Sequence, residues 1–180
     1  MHVTKRNGSI ELVSFDKIQK RVENLCNKIE PKLNINYGQL VMKIIDQLYS
    51  SISTAQIDEL VAEQCASLCT LKLDYGSLAS RVVISNHQKN TNDNFACVVR
   101  KLYNFRDANN NQSPLVSKEL YDISQDLDEV IECMINYDRD FDIDYFGFKT
   151  LERAYLMRID KVIVERPQHM WMRVAICIHN

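Results

Sequence analysis

The sequence has little glycine and little proline. Its 180 residues include four Gly and three Pro, which excludes collagen-like and low-complexity chains and favours helical structure. No apolar run approaches the roughly 18 residues that a membrane span requires, and the amino terminus has no apolar signal segment. We therefore expect a cytoplasmic protein without membrane contact.

Charge of one sign is not in excess, and familiar site motifs are missing. The chain has 22 Lys and Arg against 24 Asp and Glu, a formal charge of −2, so composition does not predict a nucleic-acid partner. The sequence contains no GxxxxGK[ST], GxGxxG, HExxH or GxSxG motif, which argues against the common phosphate loops, zinc proteases and hydrolases.

Cysteine and histidine show no ligand spacing. The six cysteines form no CxxC pair, so neither structural zinc nor a disulfide framework is expected in a reducing compartment. Cys65 and Cys69 are four residues apart and are interpreted as core-filling. We interpret the four histidines as structural or surface residues, with no metal site and no catalytic residue: His2, His87, His169 and His179.

Alternating aspartates could mimic a calcium loop. They lie at 138, 140, 142 and 144. The EF-hand frame requires Gly at its sixth position and Glu at its twelfth, where this chain has Ile143 and Lys149. We interpret the segment as a solvated acidic loop.

The first half reads as a hairpin followed by four helices. Residues 2–5 and 10–13 resemble short strands joined through Asn7-Gly8, a dipeptide suited to positive φ. Apolar spacing of three and four predicts helices at 15–29, capped by Ser14 and closed by Pro31, and at 37–49, 54–68 and 75–89. Thr54 is expected to cap the third helix, and the polar stretch 50–53 to end the second.

The second half has a weaker pattern. The polar run 88–94 is the expected domain boundary, with one domain at 1–92 and another at 93–180. Helices are predicted at 97–105, 117–134, 150–157 and 168–178. Because the sequence stops directly after an apolar segment, we expect the second unit to be incomplete.

Candidate ligand-binding residues gather near the hairpin. Lys5 and Arg6 adjoin the turn, and Glu11, Phe15 and Lys17 follow. Phosphate prefers cations and unpaired N–H groups at a helix start, whereas a base prefers an apolar shelf. From the residues alone, both a nucleotide site and ordinary surface charge remain open.

Residues 3–18, VTKRNGSIELVSFDKI, resemble the opening of the ATP-cone. This regulatory domain lies at the amino terminus of class I ribonucleotide reductase large subunits, and it also occurs in a transcriptional repressor. Residues 136–141, 145–156 and 165–170 look like the stretch that follows the cone in eukaryotic-type large subunits. The repressor's zinc ribbon has no counterpart, so the resemblance favours the reductase.

The resemblance implies a mainly α fold and a nucleotide site. It predicts a β-hairpin lid on a four-helix bundle, followed by the mostly helical start of the catalytic α/β barrel. The effector is ATP or dATP with Mg²⁺ and without a protein-bound metal. Asp58 would accept from the ribose hydroxyl, and Lys5, Arg6 and Lys89 would hold the triphosphate. The matching positions are Lys5, Arg6, Glu11, Leu12, Val13, Ser14, Phe15, Asp16, Lys17, Thr54, Asp58 and Lys89.

For activity, the resemblance implies ribonucleoside-diphosphate reductase, an enzyme of deoxyribonucleotide synthesis activated by ATP and inhibited by dATP. Its expected partners are a radical-generating small subunit and further large subunits. The family's catalytic cysteines lie downstream, so this chain alone is expected to be inactive. Two other interpretations remain: a free-standing ATP/dATP-binding regulatory module, and a truncated copy without function.

Overall fold

The computed structural model describes residues 1–27 and 29–179. The chain forms two compact units. One comprises Met1–Asn86 with Ile143–Phe148, and the other comprises His87–Asp142 and the residues from Lys149 onward. The chain is mostly helical, as predicted. Lys28, inside the predicted helix 15–29, and Asn180, at the end of the predicted second domain, lie outside the described residues.

The described residues of the first half form three strands and four helices. The strands are β1 (His2–Thr4), β2 (Ile10–Leu12) and β3 (Ile52–Ser53). The helices are α1 (Phe15–Asn27), α2 (Tyr37–Ile45), α3 (Thr54–Leu68) and α4 (Leu73–Asn90).

The predicted hairpin is confirmed and gains a third strand. β1 and β2 pair antiparallel with Val3 opposite Glu11, and Gly8 takes the positive φ of 82° that the turn requires. β3 pairs parallel with β1, placing the fully buried Ile52 opposite Val3. The interpretation of 50–53 as a purely polar stop is therefore wrong, because Ile52 belongs to the core.

The end of α2 and the cap of α3 differ from the prediction. α2 ends at Ile45, not at residue 49, because the N–H groups of Gln47 and Leu48 bond three residues back and tighten the chain into a turn. The cap of α3 is Ser53, not Thr54: the Ser53 hydroxyl accepts from the Gln56 N–H, and the Gln56 side chain accepts from the Ser53 N–H.

α1 is held at both ends. Ser14 caps its start as predicted, its hydroxyl accepting from the Lys17 N–H at 3.4 Å. At the other end the buried Arg81 of α4 donates to the carbonyl oxygens of Leu25 (3.0 Å), Cys26 (3.4 Å) and Pro31 (2.6 Å). These bonds supply partners for carbonyls that a helix end cannot satisfy internally.

Beyond α4 the helices are α5 (Phe95–Tyr103), α6 (Lys118–Asp126), α7 (Asp128–Met134), a 3-10 helix (Tyr137–Asp142), α8 (Tyr145–Ala154) and α9 (Pro167–His179). A short hairpin, β4 (Arg158–Ile159) with β5 (Val162–Ile163), was not predicted. One cluster of buried apolar residues in the second unit contains Phe95, Val99, Leu120 and Ile131. Among the described residues, no helix is long and apolar enough to cross a membrane.

The helix predicted at 117–134 is interrupted at Leu127, where φ is −113° and ψ is 24°. Contacts between α7 and the start of α5 explain this interruption. Asp128 accepts from the Asn94 side chain at 3.0 Å, and Glu132 accepts from the Phe95 N–H at 2.6 Å, so α7 is anchored to the start of α5.

The expectation of a solvated acidic loop at 138–144 is wrong for Asp140. This residue has no exposed surface and accepts from the Gln88 side chain at 2.9 Å. Burial raises the pKa of Asp140. Gln88 itself lies in α4, so the polar run taken as a boundary begins inside a helix.

Candidate functional site

The first charged cluster of the first unit joins the hairpin to α1. Glu11 on β2 accepts from the ammonium group of Lys5, which follows β1, and from that of Lys17 at 2.9 Å, in the first turn of α1. The two ammonium groups lower the pKa of Glu11. Three predicted site residues are thus brought together.

The second cluster is centred on Asp58 of α3, which is only 6% exposed. Arg6 donates through Nη2 to Asp58 Oδ2 at 3.1 Å and through Nη1 to Thr54 Oγ1 at 3.5 Å. The same Nη2 donates to the side-chain oxygen of Asn86 on α4. Arg6, Thr54 and Asp58, predicted from segments far apart in the chain, therefore lie in contact.

A second arginine, which sequence reasoning missed, also binds Asp58. Arg21 of α1 donates through Nε to Oδ1 at 3.3 Å and through Nη2 to Oδ2 at 3.2 Å, a two-point ion pair. Its Nη2 also donates to the Ser85 hydroxyl at 3.0 Å. Arg21 directly precedes the buried Val22, but a position beside the apolar stripe of α1 does not by itself indicate a carboxylate partner.

An apolar surface lies on the same hairpin-to-helix segment. Leu12 is 69% exposed and Phe15 is 50% exposed. Such a surface could receive a planar base. Val13 and Ser14 connect β2 to α1, and Asp16 lies in the first turn of α1.

One predicted ligand belongs to the second unit. Lys89 lies in the last turn of α4, beyond the point where the first unit ends. Asn86 and Ser85, which the prediction omitted, do contact the cluster around Asp58. Their polar side chains lie in the last two turns of α4, in a stretch where the helical spacing of apolar residues gives no indication of a ligand role.

The two clusters contain more cations than carboxylates. Lys5, Arg6, Lys17 and Arg21 outnumber the carboxylates of Glu11 and Asp58, so the surroundings favour a negatively charged ligand. Among residues 1–27 and 29–179, no group of three or more His, Cys, Asp or Glu side chains could hold a metal ion.

The second unit has a polar network of a different kind. The Arg166 N–H donates to His169 Nδ1 at 3.4 Å, so the ring proton is on Nε2 and donates to Tyr137 Oη at 2.8 Å. The Tyr137 hydroxyl in turn donates to the Asp93 carbonyl. Burial lowers the pKa of His169 to about 3.

Glu165 is the centre of a second polar group in this unit, and only 1% of its surface is exposed. It accepts from Arg173 Nε at 2.7 Å and Nη2 at 3.1 Å, and from the Met157 N–H at 3.0 Å. The Arg166 guanidinium donates to Thr91 and to the Gln88 carbonyl. These groups are bonded to one another, as expected for a structural network.

Two family models match parts of the chain. The family model described as the ATP cone domain matches residues 1–90, and the one described as the ribonucleotide reductase all-alpha domain matches residues 141–180. Ribonucleoside-diphosphate reductase large subunits are similar along the whole chain. Identity is 48% for the one from Dictyostelium discoideum, 44% for that from Danio rerio and 43% for that from Monkeypox virus.

Each alignment covers 100% of this chain but only 21% to 23% of the relative. The chain therefore spans about a fifth of the length of these relatives. An ATP cone indicates that the domain binds a nucleotide effector. The chain belongs to the ATP-cone family, and from end to end it matches the amino-terminal region of ribonucleoside-diphosphate reductase large subunits.

Proposed function

We propose that the first unit binds ATP or dATP as an allosteric effector through the clusters around Glu11 and Asp58. The observation that carries the proposal is the pair between Arg6 and the buried Asp58 beside Thr54. This salt bridge combines Arg6, a cation that can bind phosphate, with Asp58, an acceptor that suits a sugar hydroxyl.

The triphosphate is proposed to bind Lys5 and Arg6 by exchange. Each cation already pairs with a carboxylate, Lys5 with Glu11 and Arg6 with Asp58. A triphosphate carries more negative charge than either carboxylate, so it competes well for both cations. Lys89 remains a further proposed triphosphate ligand on the strength of the resemblance. Mg²⁺ is proposed to arrive with the nucleotide, because it prefers phosphate and water oxygens.

The remaining predicted residues are proposed to hold the nucleoside. The base would lie against the backbone of residues 11–17 and the exposed ring of Phe15. Asp58 would accept from the ribose 2′-hydroxyl, which ATP has and dATP lacks. A difference in binding affinity of this kind can change the free-energy difference between two states of a protein by about 1–3 kcal/mol.

For the longer protein we propose the activity of its relatives' family, reduction of ribonucleoside diphosphates in the cytoplasm to supply deoxyribonucleotides for DNA synthesis. ATP would activate the enzyme, whereas dATP would inhibit it by favouring an inactive oligomer of the large subunit. A small subunit would supply the radical. We also propose the domain division at 92/93, with 93–180 leading into the catalytic barrel. The matches to reductase large subunits support the proposed activity. The ATP cone match, which ends at residue 90, supports the proposed division.

The test is isothermal titration of the chain with ATP and dATP in the presence of Mg²⁺. We expect both to bind. Arg6→Gln should weaken both by about tenfold or more, because a charge-assisted bond to phosphate contributes about 1.5–3 kcal/mol. Asp58→Asn should weaken ATP more than dATP.

The matched control is Lys20→Gln, which removes an equal charge from an exposed position of α1. It should leave both affinities within about twofold of the wild type, because an exposed charge away from the ligand contributes little. A wild-type chain that unfolds cooperatively and binds neither nucleotide would refute the proposal.

A further inference from the structure

The carboxylate of Asp58 is shared unequally between two arginines. Arg6 holds it at one point, Oδ2, whereas Arg21 holds both oxygens. Arg6 emerges from the hairpin turn, while Arg21 lies in the second turn of α1 and is also fixed by Ser85. One contact comes from a turn and the other from a helix.

The contacts of Arg6 and Arg21 with Asp58 are expected to change differently when a phosphate binds. Arg6 is expected to reorient toward the new anion, and any weakening of its bond leaves Asp58 with one fewer partner. A carboxylate that is 6% exposed cannot replace that partner with bulk water at little cost. The two-point bond from Arg21 then becomes the contact that keeps the Asp58 carboxylate oriented.

We propose that Arg21 is a positioning residue for nucleotide discrimination: it holds the Asp58 carboxylate toward the ribose while Arg6 turns to the triphosphate. This inference rests on the proposed function, because it needs Asp58 to contact the sugar. Arg21 itself contacts neither phosphate nor base in this assignment. It acts through Asp58.

The number of acceptor positions on the Asp58 carboxylate supports separate roles for Arg6 and Arg21. A carboxylate offers about four acceptor positions, and Asp58 uses three of them for the bonds from Arg6 and Arg21. The position that remains, together with the one that Arg6 gives up, is enough for a sugar hydroxyl. Because Arg21 is planar and binds both oxygens, it also fixes the plane of the carboxylate, which a single-point contact cannot do.

The experiment measures the ratio of ATP to dATP affinity by titration calorimetry for the wild type, Asp58→Asn, Arg21→Gln and Arg21→Lys. We expect Asp58→Asn to lower the ratio about tenfold and Arg21→Gln to lower it about fivefold, since bonds to charged groups have effects of this order. Arg21→Lys keeps the charge without the two-point geometry, so its ratio should fall between Arg21→Gln and the wild type.

Two further variants separate positioning from structure. In the double variant Arg21→Gln/Asp58→Asn, the ratio should equal that of Asp58→Asn within about twofold, because Arg21 acts only through Asp58. Arg6→Gln should weaken both nucleotides and leave the ratio unchanged. Lys20→Gln again serves as the control for charge.

The failures are distinguishable. If the wild type binds no nucleotide, or if Asp58→Asn leaves the ratio unchanged, the proposed function of the site fails and this inference falls with it. If Asp58→Asn lowers the ratio but Arg21→Gln weakens ATP and dATP equally, Arg21 is only structural and this inference alone is overturned. Thermal melts accompany each variant, and the ratio for Arg21→Lys decides between these outcomes if Arg21→Gln does not unfold cooperatively.

Discussion

The two units hold their buried carboxylates with different partners. In the first, Asp58 is bonded to two arginines, which keep 24% to 30% of their side-chain surface exposed. In the second, Glu165 is 1% exposed, and its bonds go to one arginine, Arg173, whose side chain is 20% exposed, and to the backbone of Met157. A carboxylate with two cations can keep one while the other binds a ligand, whereas a carboxylate with a single cation loses its charged partner if that cation leaves.

The largest expected effect tests whether the Glu165 pair is structural. Glu165→Gln removes the charge facing Arg173 and weakens the two-point bond, so the free energy of unfolding should fall by about 3 kcal/mol. Urea denaturation at pH 7 measures it. Glu152→Gln is the control, because the pair between Glu152 and Lys149 is more exposed and should contribute less than about 1 kcal/mol. If the free energy of unfolding fell equally in the two variants, the expectation that the more buried pair contributes more would be wrong.

A smaller effect comes from the buried histidine of the second unit. The folded-state pKa of His169 is about 3, below its unfolded value of about 6.5. The unfolded chain therefore takes up the proton first, so stability is complete above pH 6.5 and is lost as pH falls from 6.5 toward 3. From pH 7 to pH 5 the loss from this group is about 2 kcal/mol.

Denaturation curves between pH 7 and pH 5 check this sign. His169→Gln should reduce the pH dependence, whereas His2→Gln, at an exposed position of β1, should not. His87, whose pKa is also lowered by burial, should supply part of the dependence that remains in His169→Gln. A wild-type protein that becomes more stable on acidification would contradict the assignment of a neutral His169.

The smallest effect concerns thiol reactivity and leaves stability unchanged. Burial raises the pKa of Cys26 to about 11 and that of Cys65 to about 12, and both lie in the first unit. Cys133 and Cys177 of the second unit are exposed. At pH 8, iodoacetamide should modify Cys133 and Cys177 in the folded chain, and Cys26 and Cys65 only in urea. Peptide mass analysis identifies the modified cysteines. Modification of Cys26 and Cys65 in the folded chain would contradict the prediction.

Much of the fold was predictable, because helices with a continuous apolar stripe can be recognised locally. Ile18, Val22 and Leu25 of α1 are examples. The strand β3 was missed because two residues carry no periodicity and pair with β1 only through the tertiary fold. The break at Leu127 likewise depends on bonds from α7 to the start of α5.

The candidate site was predictable only in part, and mainly through family resemblance. The prediction named Arg6, Thr54 and Asp58, and these residues are in contact. It omitted Arg21 and Asn86, because nothing in their neighbouring residues indicates that both meet the same cluster. Predicting such ligands requires knowing how α1 and α4 pack, which the spacing of apolar residues does not give.

The bond between Arg6 and Asn86 joins residues 80 positions apart. During translation at about 5–20 residues per second, Arg6 is therefore made roughly 4 to 16 s before the residue that completes its surroundings. No early fragment can contain the site. If nucleotide binds at the proposed site, a nascent chain can bind it only after Asn86 has been made, and nucleotide binding can then report on co-translational folding.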